Sequence, residues 1–263
     1  MPCSDPIGIF DSGVGGLSVL HHIRRLLPTE DLLYVADTGH LPYGNKSPKY
    51  VQQRSLMISE FLLRQGAKAI VVACNTATAA AIGLLRQRYA LPIIGMEPGV
   101  KPGIEQSRVG KVAILATEGT LGSTKFQDLM HRHGNGAEVL VQPCHGWVEL
   151  VESQADPTLV KQTLQPQLLP LMAQGIDTLV LGCTHYPFLS RAIRELVGEE
   201  TLIIDTGLAV ARQLNRRLTD AELHKCGSQA GTEHFWSSGS LSRTTQLISR
   251  LWGKPCKIER LPL

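Results

Sequence analysis

The chain has 263 residues, 43% hydrophobic and 19% charged, so it can bury one large core or two smaller ones and fits neither a disordered nor a low-complexity class. Its 26 Lys and Arg against 23 Asp and Glu leave a formal net charge of +3, and the basic residues cluster no further than doublets such as Arg24-Arg25 and Arg216-Arg217. That balance excludes the electrostatic footprint expected of a nucleic-acid or anionic-membrane binder. No run approaches the roughly 18 apolar residues of a membrane span. The opening segment from Met1 to Asp5 has neither a basic nor an apolar stretch, so no secretory signal is expected. The six cysteines (Cys3, Cys74, Cys144, Cys183, Cys226 and Cys256) form no C-x-x-C pair, which argues against a zinc ribbon or a dithiol redox motif. Reduced thiols in a cytoplasmic protein are the expectation.

In chain order, Ile7-Gly8-Ile9-Phe10 reads as a buried strand, followed by Asp11-Ser12-Gly13-Val14-Gly15-Gly16 and a helical pattern of Leu17, Leu20, Ile23 and Leu27. The glycines would let backbone N–H groups approach an anion, while Asp11 could hold an ammonium or orient a thiol. A dinucleotide fingerprint would require glycine at Ser18. Leu32-Leu33-Tyr34-Val35 reads as the second strand, ended by Asp37-Thr38, with Pro42-Tyr43-Gly44 a tight loop beyond it. The stretch from Gly39 to Ser47 imitates a phosphate loop but has Asn45 inserted before Lys46-Ser47. Ala69 to Ala73 is a strand running into Cys74, and Asn75 or Thr76 caps a helix that continues to Arg88.

Ile93-Ile94 is a further strand, and the Pro/Gly-rich stretch from Glu97 to Gly103 marks a boundary. Strands are expected again at Val112 to Leu115, Thr178 to Leu181 and Leu202 to Ile204. A helix from Leu208 to Leu218, a strand at His234-Phe235-Trp236, a turn at Ser237-Ser238-Gly239, a helix through Leu247 and Trp252, and a short strand near Lys257-Ile258 follow. This tail is too short for a third domain and is expected to complete the first. The predicted division is 1–97 with 208–263, and 98–207. Continuously apolar strands alternating with helices indicate α/β architecture with parallel sheets covered on both faces.

The strands ending at Cys74 and Cys183 resemble each other, at an offset of 109 residues. Ile7 to Ser12 matches Val112 to Thr117 at an offset of 105, and Pro92 to Ile94 matches Leu202 to Ile204 at an offset of 110. Three matches in one order at nearly one offset indicate two related halves.

Ligands of open α/β sheets bind at the carboxyl ends of the strands, where Cys74 and Cys183 both fall. They are expected at exposed strand ends, each beside a helix start that favours the thiolate: Asn75 for Cys74, and a position near Pro187 for Cys183. If the halves face each other, one thiolate can take a proton from one side of a carbon while the opposing thiol delivers one to the other, which inverts a stereocentre. His185 could protonate or orient Cys183. Glu152 reads, by sequence alone, as a solvated helix residue. Cys144, Cys183 and His185 lack metal-ligand spacing, so no metal is expected. Two other classes remain open at this point: an amino-acid-binding module, which would not need paired thiols, and a thiol redox or metal protein.

Asp11 to Leu17, Pro42-Tyr43-Gly44, Ala73-Cys74-Asn75-Thr76-Ala77-Thr78 and Gly182-Cys183-Thr184-His185-Tyr186-Pro187, in this order and spacing, resemble the motifs of the glutamate racemases. The resemblance runs nearly the whole chain, to Phe235 and the Ser238-Gly239 turn. It implies two similar doubly wound domains related by a pseudo-two-fold, with the active site in the cleft between them. It also implies cofactor-independent interconversion of L- and D-glutamate, supplying D-glutamate for peptidoglycan. Aspartate racemases share the two-cysteine plan, but the resemblance implies an acidic residue in them where this chain has His185. Carried over by position, Cys74 would act on the α-proton of the D-enantiomer and Cys183 on that of the L-enantiomer. Asp11, Asp37, Glu152 and His185 would be auxiliary acid/base groups, with Asp11 and Glu152 near the first thiol and His185 near the second. Glu149, one helical turn from Glu152, is the alternative for that acid. Substrate contacts would come from Asp11, Ser12, Pro42, Tyr43, Gly44, Asn75, Thr76, Thr117, Thr120, Thr184 and His185. Glutamate is the expected small-molecule partner, with no nucleic acid or membrane; a homodimer is compatible with the sequence but not dictated by it. Regulation through a long N-terminal extension, which some family members use, is not expected.

Overall fold

The computed structural model describes residues 3–134 and 136–262; Met1 and Pro2, where the segment read for a signal begins, lie outside the described residues. The first segment carries β1 (Ile7–Asp11), α1 (Leu17–Leu26), β2 (Leu32–Ala36), α2 (Pro48–Arg64), β3 (Ala69–Val72), α3 (Asn75–Arg88) and β4 (Ile93–Gly95). The middle segment carries α4 (Val100–Gln106), β5 (Lys111–Ala116), α5 (Glu118–Leu121), α6 (Thr124–His133), β6 (Glu138–Pro143), α7 (Trp147–Glu152), α8 (Pro157–Ala173), β7 (Thr178–Leu181), α9 (Ser190–Val197) and β8 (Leu202–Ile204). The last carries α10 (Gly207–Asp220), β9 (Glu233–Ser237), α11 (Leu241–Trp252) and β10 (Ile258–Arg260). The chain divides into two compact units, Met1–Met96 with Gly207–Leu263, and Glu97–Thr206.

The first unit is built on a parallel six-stranded sheet in the order β10-β9-β2-β1-β3-β4. The returning segment supplies β9, which pairs with β2 from Leu32↔Glu233 to Ala36↔Ser237. Its central strands are buried along their whole length, as continuously apolar parallel strands require. On one face Phe10, Val35, Ile70 and Val72 pack with Phe61 and Leu62 of α2, Leu85 of α3 and Trp236 of β9.

At the amino ends of these strands lies a buried ionic network. Lys68, fully buried, sets its Nζ 2.6 Å from Glu30 Oε2 and 2.6 Å from the Cys3 carbonyl. The Lys225 backbone N–H donates to the other Glu30 oxygen at 2.8 Å, and the Lys225 ammonium pairs with Asp31. Backbone carbonyl and carboxylate oxygens together take the place of water around a charge that would otherwise be costly to bury.

The second unit is built on a parallel four-stranded sheet in the order β6-β5-β7-β8. Val112, Ile114 and Val180 pack with Val100 of α4 and with Phe126 and Leu129 of α6. Its order repeats the β2-β1-β3-β4 core of the first sheet, with β5 in the place of β1, β7 of β3 and β8 of β4. These are the strand pairs whose sequences match. The fourth equivalence, β6 to β2, joins a strand the sequence reading leaves out. As an edge strand, β6 is half-exposed along its length and mixes Glu138 and Gln142 with valines and a leucine, so it lacks the apolar run of its neighbours. The repeat offset applied to Leu32 falls at this segment and was the available signal. Local pattern does not predict helix α8 either: Pro166 and Pro170 stand in its interior, where propensity opposes a helix, but the stripe of Val160, Leu164, Leu168 and Leu171 is buried. No helix among the described residues is long and apolar enough to cross a membrane.

Candidate active site

Each cysteine singled out by the repeat lies two residues beyond its strand: Cys74 after β3 and Cys183 after β7. The two strands hold equivalent places in the two sheets, so the fold delivers each thiol to the same corner of its own unit. Neither side chain is exposed, which corrects the expectation of open strand ends: Cys74 keeps 5% of its surface and Cys183 8%. The turn that presents Cys183 is packed closely against β5. A Cβ on Gly182, the residue before Cys183, would lie 2.9 Å from the Ala116 Cβ and 3.0 Å from the Leu115 carbonyl oxygen, so glycine is required for that approach.

In the first unit, Cys74 caps α3, and its sulfur accepts the Ala77 N–H at 3.4 Å. The helix begins at Asn75 as the sequence reading has it, but the cap is the Cys74 sulfur itself and not Asn75 or Thr76, which lie in the first turn; a helix start favours the thiolate form of a nucleophile or base. The sulfur also lies 3.9 Å from the Ser12 hydroxyl. Asp11, at the end of β1, is fully buried and accepts the Ser12 N–H at 2.7 Å on one oxygen and the Gly16 N–H at 2.7 Å on the other. The glycine-rich turn therefore wraps an internal anion, the Asp11 carboxylate. A Cβ on Gly16 would meet the Asp11 Cβ and the Tyr34 hydroxyl, both at 2.9 Å.

Asp37 is also fully buried but is wholly engaged. Arg54 of α2 reaches it with two donors, at 2.8 and 2.9 Å, and the Tyr43 hydroxyl donates to it at 2.6 Å. Burial, the Asp37 charge and this hydrogen bond push the Tyr43 phenol far above its ordinary range, so it stays a donor. Asp37 thereby fixes the Pro42-Tyr43-Gly44 loop, in which Tyr43 is buried and Pro42 and Gly44 are half-buried. Sequence reasoning missed Arg54. The available signal was a basic residue on the buried stripe of α2, with Val51, Ser55 and Ile58.

Asn75 is 4% exposed, and neither its amide nitrogen nor its amide oxygen has a hydrogen-bond partner among the described residues. A buried amide lacking both partners is rare and costly, and it stands next to Cys74. Thr76, the following residue, is buried as well.

In the second unit the Cys183 sulfur lies 3.8 Å from His185 Nδ1, and His185 Nε2 lies 2.8 Å from Glu152 Oε1. All three side chains are buried. Glu152 faces inward from the last turn of α7 while Glu149 is exposed, which corrects the reading of Glu152 as a solvated residue, and its bond to His185 ties it to the imidazole beside Cys183. With the ring proton on Nε2 donated to the carboxylate, Nδ1 turns its lone pair to the thiol. The helix expected near Pro187 is a 3-10 turn, Tyr186–Leu189, and α9 follows from Ser190.

Thr184 is buried beside Cys183, and Thr117, one residue past β5, caps α5 with its hydroxyl 3.1 Å from that of Thr120. Cys144, which the sequence offers only as a metal-ligand candidate, is buried. Burial, then the neighbouring Cys183, pushes its thiol above the ordinary range, and Tyr186 donates to its carbonyl at 3.4 Å.

Residues 7–214 match the family model described as Asp/Glu/Hydantoin racemase. A glutamate racemase of Methylococcus capsulatus is 52% identical over 262 residues, covering 98% of this chain and 95% of that one. Among solved structures, a glutamate racemase isoform of Bacillus anthracis superposes with a TM-score of 0.89 at 34% identity, covering 98% of each chain. A glutamate racemase of Francisella tularensis, solved in complex with D-glutamate, superposes with a TM-score of 0.86 at 26% identity, covering 99% of this chain and 98% of that one.

Proposed function

This chain belongs to the Asp/Glu/hydantoin racemase family, and from that premise we propose that it interconverts L- and D-glutamate without a cofactor, using Cys74 and Cys183 as its two bases. In this reading the thiols serve opposite faces of one α-carbon. For L-glutamate, the Cys183 thiolate takes the α-proton while the Cys74 thiol delivers a proton to the other face; for D-glutamate the roles exchange. His185, oriented by Glu152, accepts and returns the Cys183 proton. Asp11, through Ser12, orients the Cys74 side. Asp37, held by two hydrogen bonds from Arg54, positions the Tyr43 hydroxyl that donates to it.

The observation that carries this reading is Asn75. A zwitterionic amino acid offers a carboxylate to an amide N–H and an ammonium to an amide oxygen, so one ligand satisfies both orphaned atoms beside the Cys74 thiol. Thr76, Thr117, Thr120 and Thr184 supply further hydroxyls, and the backbone around Tyr43 and Gly44 completes the polar set. The product would feed peptidoglycan synthesis in the cytoplasm.

The test is racemisation of L-glutamate in deuterated water with no cofactor added, followed by proton NMR at low conversion. Each empty-site thiol exchanges with solvent, so early D-glutamate carries deuterium at Cα while unreacted L-glutamate stays largely unlabelled. Unlabelled early product would overturn the two-thiol mechanism, and turnover of aspartate in preference to glutamate would overturn the substrate.

A further inference from the structure

We propose that Cys3 and Cys226 form a reversible disulfide under peroxide, clamping the first unit at the amino end of its sheet, opposite the carboxyl end that carries Cys74. The two sulfurs are 3.8 Å apart, in contact, although 223 positions separate them along the chain. Both are free thiols; Cys226 is exposed and Cys3 half-buried. Their backbones are pinned by the same buried network, since the Cys3 carbonyl accepts from Lys68 and the N–H of Lys225, next to Cys226, donates to Glu30. Approach of the sulfurs to the roughly 2.05 Å of a disulfide is therefore a side-chain adjustment between two anchored segments.

The exposed Cys226 is the thiol a peroxide reaches first; the hydrogen bond and charge of the Cys3 sulfur hold its pKa above the ordinary thiol range, with the Lys68 charge opposing them, so it is the minor thiolate form that reacts. That thiolate attacks one peroxide oxygen: the S–O bond forms, the O–O bond breaks, and the departing hydroxide takes a proton to give water. The Cys3 thiolate then attacks the sulfenic sulfur, the S–S bond forms, the S–O bond breaks, and a second water leaves. Each sulfur is oxidised by one electron and the peroxide is reduced by two. The bond joins the segment before β1 to the segment before β9, so it locks the returning part of the chain onto the part made first. A cross-link of such long range constrains the unfolded chain strongly. Cys74 lies past the opposite, carboxyl end of the same sheet, so the clamp acts on stability and leaves turnover alone.

The experiment treats the purified full-length protein with stoichiometric hydrogen peroxide and reads three quantities that do not depend on which substrate it uses. The expected results are an intact mass lower by two hydrogens, a proteolytic peptide joining Cys3 to Cys226, and a rise of several degrees in thermal midpoint that dithiothreitol reverses. Cys226→Ser and Cys3→Ser should each abolish the linked peptide and the shift. Over-oxidation of Cys226 with Cys3 left free, bonding of either to Cys256, or a linkage between two chains would each overturn the proposal.

Discussion

Glu152 and His185 share a buried hydrogen bond of 2.8 Å, which makes the acid on α7 the orienting partner of the imidazole beside Cys183. Removing the carboxylate charge with Glu152→Gln frees the ring to turn or take the wrong tautomer, and His185→Asn removes it. Each should lower kcat/KM by roughly 10²- to 10⁴-fold. The loss must be equal in both directions, because the enantiomers have the same free energy. The side of the defect shows instead in isotope effects. A slowed Cys183 step enlarges the effect of α-deuterated L-glutamate over that of α-deuterated D-glutamate, and the opposite asymmetry would return Glu152 to the first thiol.

Cys74→Ala and Cys183→Ala should each end racemisation. Because both thiols are buried in place of the exposed positions their sequence context suggests, each variant should also lose about 1 kcal/mol of stability. Each keeps one thiol, so Cys74→Ala should still wash the α-proton out of L-glutamate and Cys183→Ala out of D-glutamate, both without inversion. NMR of each enantiomer in deuterated water reads this directly, and equal washout of both enantiomers by one variant would refute the assignment of faces.

The Arg54–Asp37 pair, with side-chain exposures of 9% and 0%, predicts a thermodynamic signature. Arg54→Met strands a buried carboxylate and should cost about 3–5 kcal/mol in urea unfolding. Adding Asp37→Asn should recover part of that loss, since no charge is then left unpaired. A double variant less stable than Arg54→Met would show that the pair is not the source of the effect.

Acid should expose the Asp31 contribution. Burial raises its pKa, but hydrogen bonds from Lys225 and Thr232 and the Lys225 charge outweigh it and hold the carboxyl at about 2, below the ordinary 3.8. A depressed folded-state value gives stability that is fully present above pH 3.8 and is lost as pH falls toward 2. Asp31→Asn should therefore be less stable than the parent at pH 6, with a gap in urea midpoint that narrows steadily below pH about 4. A gap constant with pH would assign the effect to packing.

Much of this was legible in the sequence because the signals were strong and local: apolar runs for buried parallel strands, a Cys-Asn-Thr start for α3, and a repeat that anticipated equivalent sites. Edge strand β6 and the proline-bearing α8 were not, since tertiary burial outweighs local preference in both. The site was read by residue type but not by contact. Nothing in Trp147 to Ser153 tells that Glu152 turns inward while Glu149 does not, and the engagement of Asp37 depends on Arg54, 17 positions away.

Strand β9 lies between β2 and β10 in the first sheet, yet Glu233 is 197 positions beyond Ala36. A ribosome adding roughly 5–20 residues per second needs on the order of 10 to 40 s to cover that distance. Throughout that time the Leu32–Ala36 edge, apolar from end to end, has β1 on one side and no partner on the other. The second unit is meanwhile synthesised whole and can fold. A nascent chain whose second unit has just emerged from the ribosome thus still carries a first unit with an open apolar strand edge, an aggregation hazard during translation.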